Sequence, residues 1–586
     1  MNRTTTAILV LTALPVLVCA ANAAAPANAY VQHNLVADQP GVADITDPHL
    51  LNPWGISESA AGPFWVSDNH TGLTTLYNGS GTIIPLVVTI AAPAGTSISS
   101  PTGQVFNNTT AFVLANGKPA AFIFVTEDGT VSAWNGGTTS TIEADNSTKG
   151  AVYKGMALGA NASGPLLYAA NFNAGTVDVF DGKFAAVKAA GGFTDATIPA
   201  GFAPFNIANL GGKLYVSYAK QDSLKHDDAP GAGNGFVDIF DMDGNLQKRL
   251  ISNGALNSPW GMTIAPATFG AFGGALLVAS FGDGTINAFD ASAGTLLGTL
   301  QDTSGKAIAI EGLWALLFGN GKAGGDANTL YFTAGYGQEA HGLLGSLAPP
   351  AAVTSIQNGA SNLVGAVAPG EVVTILGGSI GPSPLVAAKF PATGALGTSL
   401  ATTGVTFNGT AAPIIYASSS QTAVLVPYAV AGSQNANVVV TFQNQTTASF
   451  QVQVAATAPG IFTLNTSGSG EAVAFNQDGT LNSATNPASA GTVVVLYGTG
   501  EGVTEPPGTD GLMAGSMLFR TPVADVSVTI GGQAALVAYA GSSPGQVTGI
   551  LQVEAVVPPG AGTGAVPVVL KIGAASSQTT ATIFVQ

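Results

Sequence analysis

The charged residues and histidines of this chain are few, and many of them fall in one kind of predicted turn. Only 8% of the residues are charged, and five are His. Between residues 51 and 347, polar side chains gather in turns that follow the second strand of each of several repeats, and in the segments between repeats. If the repeats form a ring, these turns meet at one end of its central channel and could bind a ligand. The candidate ligand-binding residues are His49, His70, Glu127, Asn173, His226, Asp227, Glu339 and His341.

Four residues in these turns and in the segments between repeats have the oxygen atoms that a calcium ion prefers. Asp68, Asn171, Asp283 and Glu311 offer carboxylate or amide oxygens, and Ca²⁺ takes about six to eight oxygen ligands. Such an ion would polarise a carbonyl, with a His as base, in a calcium-dependent lactonase or esterase. The alternative interpretation is that these polar residues only satisfy turn geometry, as Asp-Gly and Asn-Gly pairs do.

No short motif decides between these interpretations. The sequence contains no His-Glu-x-x-His, no Gly-x-Ser-x-Gly and no complete EF-hand loop. Residues 241–245 (DMDGN) resemble the start of a calcium loop but lack its closing Glu, so we predict a hairpin turn there. The most charged segment is 220–235 (KQDSLKHDDAPGAGNG), which is either a recognition loop on a rigid scaffold or a surface excursion.

Six repeats between residues 51 and 347 supply the elements that position these turns. Each repeat opens on a short anchor, continues into an aromatic-rich strand, and passes through a Gly turn into a further strand. The anchors lie about 50 residues apart, the period of a four-stranded propeller blade. They are Pro53-Trp54-Gly55, Pro101-Thr102-Gly103, Tyr153-Lys154-Gly155, Pro204-Phe205-Asn206, Pro259-Trp260-Gly261 and Gly312-Leu313-Trp314.

The sixth repeat lacks material for a fourth strand, because Ala348-Pro349-Pro350 follows it. Residues 30–37 (YVQHNLVA) precede the first repeat and have the composition of a strand. We therefore predict that this segment pairs into the sixth sheet and closes the ring, which removes exposed sheet edges. Trp54, Trp260 and Trp314 recur at the anchors, where we expect them to pack between repeats rather than stack on a sugar.

From residue 351 the pattern changes to longer strands separated by Thr, Ser, Asn and Gly. Segments 369–377 (PGEVVTILG) and 490–498 (AGTVVVLYG) correspond, as do 405–409 (VTFNG) and 528–532 (VTIGG). The repeat length of about 120 residues and the absence of a Cys pair favour two tandem immunoglobulin-like β-sandwiches without a disulfide.

Composition sets the class of protein and excludes one class of partner. The chain has 586 residues, 77 Gly and 46% apolar residues, which together with the strand patterns indicate an all-β protein. Sixteen Lys and Arg against 32 Asp and Glu give a net charge of −16. Nucleic-acid binding requires a basic surface, so we expect no nucleic-acid partner.

The first 29 residues have the pattern of a secretory signal peptide. Arg3 precedes an apolar run from Ala7 to Ala20, and small residues follow it. Cleavage after Ala29 or after Ala23 fits the small-x-small rule. Cys19 is the only cysteine, and the alternative to cleavage at these sites is a lipoprotein that is lipidated at Cys19. Val18, however, stands where lipoproteins usually have a small residue before the lipidated cysteine. We expect a secreted protein, either free or at the cell surface or in the periplasm, with no transmembrane anchor.

The motifs of both halves resemble families of secreted bacterial proteins. Residues 30–348, with LNPWGI at 51–56 and FWVSDN at 64–69, resemble an uncharacterised family of secreted six-bladed propellers that is distantly similar to NHL-repeat propellers. Residues 352–586, with APGEVVTI at 368–375, APGIF at 458–462 and LYGTG at 496–500, resemble the C-terminal domain of secreted acidobacterial, Solibacter-type proteins. Neither resemblance implies an activity or a catalytic residue set.

These observations define a domain plan and two hypotheses for function. The plan is a signal peptide at 1–29, a six-bladed β-propeller at 30–348, a first immunoglobulin-like sandwich at 349–457, and a linker with a second sandwich at 458–586. The first hypothesis is a binding or scaffold protein with a recognition face for an extracellular glycan or protein and with sandwiches as spacers or adhesion modules. The second is a metal-dependent hydrolase or lyase that acts at the channel mouth with Ca²⁺.

Overall fold

The computed structural model describes residues 28–391, 394–443, 445–515 and 519–586. Residues 1–27 of the predicted signal peptide, including Cys19, lie outside the described residues. The described part of the chain is built from strands, with three short 3₁₀ helices at Ser147–Lys149, Gly270–Phe272 and Tyr428–Val430. Among these residues, no helix has the length and hydropathy needed to cross a membrane.

The first half of the chain forms six small sheets, which we number in chain order. Sheets 1 to 5 have four antiparallel strands in sequence order. Sheet 1 contains Pro53–Glu58, Phe64–Asp68, Leu73–Tyr77 and Ile83–Thr89. Sheet 2 contains Pro101–Phe106, Phe122–Thr126, Thr130–Trp134 and Thr141–Asp145. Sheet 3 contains Tyr153–Asn161, Gly164–Asn171, Thr176–Asp181 and Ala186–Val187.

The next two sheets repeat this arrangement, and sheet 6 includes two strands that precede sheet 1 in the sequence. Sheet 4 contains Phe202–Leu210, Lys213–Lys220, Phe236–Phe240 and Leu246–Ser252. Sheet 5 contains Pro259–Ile264, Leu276–Ser280, Ile286–Phe289 and Leu296–Thr299. Sheet 6 contains Leu313–Phe318, Leu330–Ala334, Leu343–Ala348, Val31–Ala37 and Ile45–Thr46.

The predicted closing strand is present in sheet 6. Val31–Ala37 pairs antiparallel with Leu343–Ala348, with Val31 opposite Ala348 and Ala37 opposite Leu343. The first strands of neighbouring sheets contact one another in order, and the first strand of sheet 6 contacts that of sheet 1. The six sheets thus surround a central channel in a propeller-like ring, with their first strands innermost.

Continuous runs of β-forming residues build the middle of each sheet. All five residues of Phe64–Asp68, Phe122–Thr126 and Leu330–Ala334 are buried, because apolar clusters fill the space on both faces of these strands. Strands buried on both faces read as continuous apolar runs rather than as alternating patterns. The burial therefore explains the aromatic-rich segment that follows each anchor.

The structure corrects the register of the sixth anchor. Leu313 pairs with Ala334 at the start of its strand, as Pro53 pairs with Asp68 in sheet 1. The equivalent triplet is therefore Leu313-Trp314-Ala315, one residue later than the sequence comparison placed it. The physical reason is that Gly312 has a φ of 67° and belongs to the turn before the strand, a conformation that glycine adopts readily.

The third residue of several anchors lies where two first strands approach closely. A Cβ atom on Gly55 would lie 2.4 Å from the carbonyl oxygen of Thr102, and one on Gly261 would lie 2.5 Å from that of Trp314. Real side chains do not approach backbone at these distances. Glycine at these anchors therefore allows the ring to close around a narrow channel.

The second half of the chain begins with two sheets. One contains Ala352–Asn358, Val372–Gly378, Gln421–Leu425, Ile414–Ala417 and Val386–Ala387. The other contains Ser399–Leu400, Thr403–Phe407, Asn435–Phe442 and Gln445–Thr446, with Thr410–Ala411 and Phe450–Gln453 paired to it. Apolar side chains from both sheets share one core.

The last part of the chain forms one long folded-over sheet around its own core. Its path contains Gly460–Ile461, Val493–Thr499, Leu551–Val556, Gln533–Ser542, Val526–Ile530, Gly564–Ile572, Ala581–Val585 and Gly470–Glu471. Ala474–Asn476 and Ala575–Ser576 pair to this path, and Thr504–Glu505 pairs with Thr521–Pro522. The segments that matched in the sequence comparison form strands in both parts of the second half. Val372–Gly378 corresponds to Val493–Thr499, and Thr403–Phe407 corresponds to Val526–Ile530.

Candidate functional site

A layer of buried side chains crosses the central channel at the second residue of each anchor triplet, with the sixth triplet taken as Leu313-Trp314-Ala315. Each member comes from a different sheet, and each is at most 4% exposed. In order, the residues of this layer, which we call the plug, are Trp54, Thr102, Lys154, Phe205, Trp260 and Trp314.

Aromatic packing holds the plug together. The rings of Trp54 and Trp314 stack with their centroids 3.4 Å apart, and Trp260 meets both rings edge-on. Offset-stacked and edge-on contacts are the favourable arrangements for aromatic pairs. These tryptophans pack between the sheets and are almost fully buried.

Lys154 is the charged member of the plug. Its side chain is 1% exposed, and its ammonium group lies 5.0 Å from the centre of the Trp54 ring. The ammonium donates hydrogen bonds to Glu127 Oε1 and, at 2.9 Å, to Asp227 Oδ1. Burial by itself lowers the pKa of Lys154, but the charges of Glu127 and Asp227 outweigh it and raise that pKa. Lys154 is therefore a permanent positive charge at the channel mouth.

Turns from two other sheets bring its carboxylate partners. Glu127 follows the second strand of sheet 2 and accepts a hydrogen bond at 2.9 Å from Asn69 Nδ2 of sheet 1. Asp227 lies in the long loop of sheet 4, and its Oδ1 is 3.1 Å from His226 Nδ1. The hydrogen bond with His226, followed by the charge of Lys154, holds the pKa of Asp227 well below its usual range. The same hydrogen bond raises the pKa of His226.

Sheet 6 contributes Glu339, a carboxyl group whose pKa is raised rather than lowered. Glu339 accepts a hydrogen bond at 3.0 Å from Asn52 Nδ2, and the same nitrogen lies 3.3 Å from His70 Nε2. Burial, followed by the nearby charge of Glu127, raises the pKa of Glu339 to about 7. Glu339 therefore exchanges a proton near neutral pH, whereas Asp227 stays ionised.

The mouth therefore joins residues from five sheets into one polar network. Its carboxylates outnumber its lysine, so at neutral pH it complements a cationic or hydrogen-bond-donating group. A carboxyl group that titrates near pH 7 beside ionised carboxylates is also the arrangement that acid–base chemistry uses. In the described part of the chain, one group of three potential metal-ligand atoms lies within 4.8 Å, formed by Glu127, His226 and Asp227.

The structure brings five of the eight candidate ligand-binding residues to this network, namely His70, Glu127, His226, Asp227 and Glu339. The other three have separate partners. His49 Nδ1 lies 2.9 Å from Asp47, and His341 Nδ1 lies 2.8 Å from Asp38. Asn173 donates a long hydrogen bond of 3.4 Å to the carbonyl of Lys225.

The four residues of the candidate calcium site do not form one group. Asp68 is fully buried and accepts a hydrogen bond at 2.8 Å from Thr75 Oγ1, and burial raises its pKa. Asn171 donates to Asp178, Asp283 accepts from Thr285, and Glu311 accepts from the backbone of Gln338. Each side chain thus stabilises its own local structure. The segment 241–245 is a turn between two strands of sheet 4, in which Asp241 accepts backbone hydrogen bonds from Asp243 and Asn245.

Sequence reasoning did not select Lys154 and Asn52 as site residues. The signal for Lys154 was present, because the repeat comparison places a lysine where the other anchors have an aromatic residue, Thr or Leu. Asn52 carried no such signal; its φ of 47° and its contacts with Glu339 and Trp314 appear only in the folded chain.

A cavity of about 440 Å³ lies in the channel on the far side of the plug from this network. All six first strands line it, through residues such as Gly55, Gln104, Met156, Asn206 and Met262. This cavity and the charged network therefore occupy opposite ends of the channel.

Fold and site together define an all-β protein with a propeller-like ring and a charged channel mouth. The chain is 34% identical over 325 residues to uncharacterized protein R648 of Acanthamoeba polyphaga mimivirus, a match that covers 53% of this chain and 78% of the relative. It is 33% identical over 328 residues to uncharacterized protein L690 of the same virus, covering 53% and 84%. The chain belongs to the same family as these two viral proteins. No protein-family model matches it.

Solved structures show more distant similarity. The virginiamycin B lyase of Staphylococcus aureus is 11% identical, with a TM-score of 0.33 and coverage of 55% of this chain and 99% of the lyase. A protein of unknown function from Bacteroides thetaiotaomicron is 12% identical, with a TM-score of 0.36 and coverage of 54% and 76%. Similarity at this level assigns no activity or ligand to this chain.

Proposed function

We propose that this chain is a secreted binding protein that recognises its ligand at the charged channel mouth. In this proposal, residues 30–348 form a six-bladed propeller closed by the N-terminal strand. Two immunoglobulin-like sandwiches follow as spacers or adhesion modules. The ligand is an extracellular glycan or protein that presents a basic group to the mouth.

The observation that supports this proposal is the convergence of Glu127, Lys154, Asp227 and Glu339 from four sheets on one solvent-facing network. Paired charges buried at such a point require several precisely oriented partners. Asp227 remains 64% exposed and His226 46% exposed in their side chains, so a ligand can reach both. Rigid sheets that present polar loops are the common arrangement of binding proteins.

The pattern of the first 29 residues and the resemblance of both halves to secreted bacterial families support an extracytoplasmic location. Expression of the full chain in a bacterium, followed by N-terminal sequencing of the mature protein, tests this point. Processing after Ala23 or Ala29 supports export by a signal peptide. Retention of residue 1 contradicts it, and a lipid on Cys19 supports the lipoprotein alternative.

Ligand binding at the mouth is tested on a glycan array that contains matched neutral and amino sugars. We expect binding to amino sugars by the wild type and a loss of about tenfold or more in Asp227→Asn and Glu339→Gln. Glu471→Gln, at an exposed site in the second sandwich, is the charge-matched control. Equal binding by all four proteins would contradict recognition at the mouth.

A metal-assisted hydrolase or lyase is the second candidate. The three close ligand atoms of Glu127, His226 and Asp227 favour it. One nitrogen and two carboxylates suit Zn²⁺ or Mn²⁺ better than Ca²⁺, which prefers an all-oxygen shell. The Lys154 ammonium already binds both carboxylates and competes with any ion.

Thermal unfolding in EDTA and in increasing Ca²⁺, Mn²⁺ or Zn²⁺ tests this candidate. A saturable rise in the unfolding temperature that Asp227→Asn abolishes would support a metal at this group, because a ligand that binds only the folded state stabilises it. Assays with ester and lactone substrates would then follow. No change with any of the three ions would exclude the metal-assisted candidate.

A further inference from the structure

The cavity below the plug differs chemically from the mouth. Every side chain that the structure describes around it is uncharged. Charged groups are costly to bring into a confined space without partners of opposite sign. The lining therefore favours a neutral ligand, and its volume of about 440 Å³ is in the range of small-molecule sites.

Backbone groups supply much of the polarity of this cavity. The first strand is the edge strand of each sheet, and an edge strand presents unpaired N–H and C=O groups along one side. Six such edges face the channel axis. A molecule that can both donate and accept hydrogen bonds at many positions matches this lining.

Amide side chains from sheets 2 and 4 donate hydrogen bonds to backbone carbonyl groups of neighbouring sheets. Gln104 donates to the carbonyls of Gly55 at 2.8 Å and Trp65 at 2.6 Å, and Asn206 donates to that of Trp260 at 2.7 Å. These bonds fix the orientation of Gln104, which is 6% exposed, and leave its Oε1 without a partner among the described residues. A buried acceptor without a partner destabilises the folded state. A ligand hydroxyl that donates a hydrogen bond to this oxygen would satisfy it.

The cavity is open at one end only. The plug closes the end nearest the anchors, where Gly55 and Gly103 are buried. At the other end, the lining residues Asn108, Ala160 and Asn209 are exposed. Apolar side chains such as Met156, Met262 and Leu316 also line it and offer surface for the C–H face of a ring.

We propose that this cavity is a second binding site, and that it takes a neutral, hydroxyl-bearing sugar ring. Hydroxyl groups pair with the strand edges and Gln104, and the ring packs against the apolar side chains. This site is independent of the mouth, because the plug separates the two.

Saturation-transfer NMR and calorimetry with glucose, galactose and xylose test the proposal, with glucuronate as an anionic probe of similar size. Two rim variants, Ala160→Trp and Asn108→Trp, place a large ring at the exposed end of the cavity. Ala293→Trp, in an exposed turn of sheet 5, is the matched control. Unfolding curves confirm that each variant folds.

We expect saturable binding of at least one neutral sugar by the wild type and by Ala293→Trp. Either folded rim variant should reduce its affinity about tenfold or more, and glucuronate should not bind at the rim-sensitive site. The proposal is overturned if no neutral sugar binds, if binding survives in a folded rim variant, or if glucuronate binds as well as glucose in a rim-dependent manner. Because the mouth variants are not used here, failure of this test leaves recognition at the mouth to its own experiment.

Discussion

The two ends of the central channel are built from the same six strands but have opposite chemistry. At the mouth, turn residues surround the Lys154 ammonium with carboxylates. Below the plug, only uncharged residues line the cavity among those that the structure describes. The strands are repeats of one pattern, so the charge of the mouth comes from the turns and from one lysine in the plug. In this fold, the turns determine the charge of the mouth, and the edges of the first strands determine the uncharged lining of the cavity.

The plug makes this difference possible. Indole rings in stacked and edge-on contact block the channel between a charged and an uncharged compartment. Without them, water and ions would connect both ends and screen the ion pairs of Lys154. The recurring tryptophans thus have a structural role, because they separate the two ends of the channel.

Removal of a plug ring should have the largest effect. Trp314→Ala deletes a ring that is 1% exposed and packs on Trp54 and Phe281, so we expect a loss of about 3–5 kcal/mol in the free energy of unfolding. Trp134→Ala removes a half-buried ring at the outer side of sheet 2 and should cost less. Urea unfolding of the two variants measures both losses. Equal losses would contradict the central role of the plug.

Substitutions in the ion pairs of the mouth should have intermediate effects on the free energy of unfolding. The loss should be larger when a carboxylate is removed than when the lysine is removed. Glu127→Gln leaves the buried ammonium of Lys154 with a single, exposed carboxylate, and we expect a loss of about 2 kcal/mol. Lys154→Met replaces the charge with an apolar side chain of similar length and should cost about 1 kcal/mol or less.

Urea unfolding at low salt measures this asymmetry. Lys306→Met, at an exposed turn, should stay within about 0.5 kcal/mol of the wild type and serves as control. A larger loss for Lys154→Met than for Glu127→Gln would show that the ammonium is not held as a buried charge.

The smallest effect concerns the pH dependence of the mouth. The pKa of Glu339 is raised to about 7 in the folded chain. At pH values between the pKa of the unfolded glutamate and 7, the folded state therefore holds a proton that the unfolded state has released. Its contribution to stability is complete below the pKa of the unfolded glutamate and is lost as pH rises through 7. Glu339→Gln cannot ionise, so its stability relative to the wild type should increase between pH 5 and pH 8, by about 1 kcal/mol or less.

Unfolding curves at several pH values measure this difference, and Glu471→Gln is the exposed control. A parallel pH dependence in the wild type and Glu339→Gln would show that Glu339 does not titrate near neutral pH. Rim variants of the lower cavity should leave this pH difference unchanged, because no titratable side chain lines that cavity among the residues described.

The sequence predicted the strands and the turns far better than the contacts between turns. Aromatic runs such as 64–68 and 330–334 predicted the buried second strands, and the composition of 30–37 predicted a strand that pairs with sheet 6. These features depend on local composition and on the repeat. The register of the sixth anchor was wrong by one residue, because a glycine occupies the position before the strand rather than within it.

Partners far apart in the sequence could not be predicted. His341 and Asp38 are adjacent in space although 303 residues separate them, and His341 therefore pairs away from the network that Glu339 joins. No local pattern distinguishes these two neighbouring residues of one turn. The role of Lys154 likewise depends on carboxylates from two other sheets.

The most direct test of the separation between the two ends is a matched pair of sugars measured on matched variants. Affinities of glucosamine and glucose would be determined by calorimetry for the wild type, Asp227→Asn and Ala160→Trp. The account predicts that glucosamine binding weakens only in Asp227→Asn and that glucose binding weakens only in Ala160→Trp. Loss of both sugars in the same variant, or of neither sugar in any variant, would contradict two chemically distinct sites.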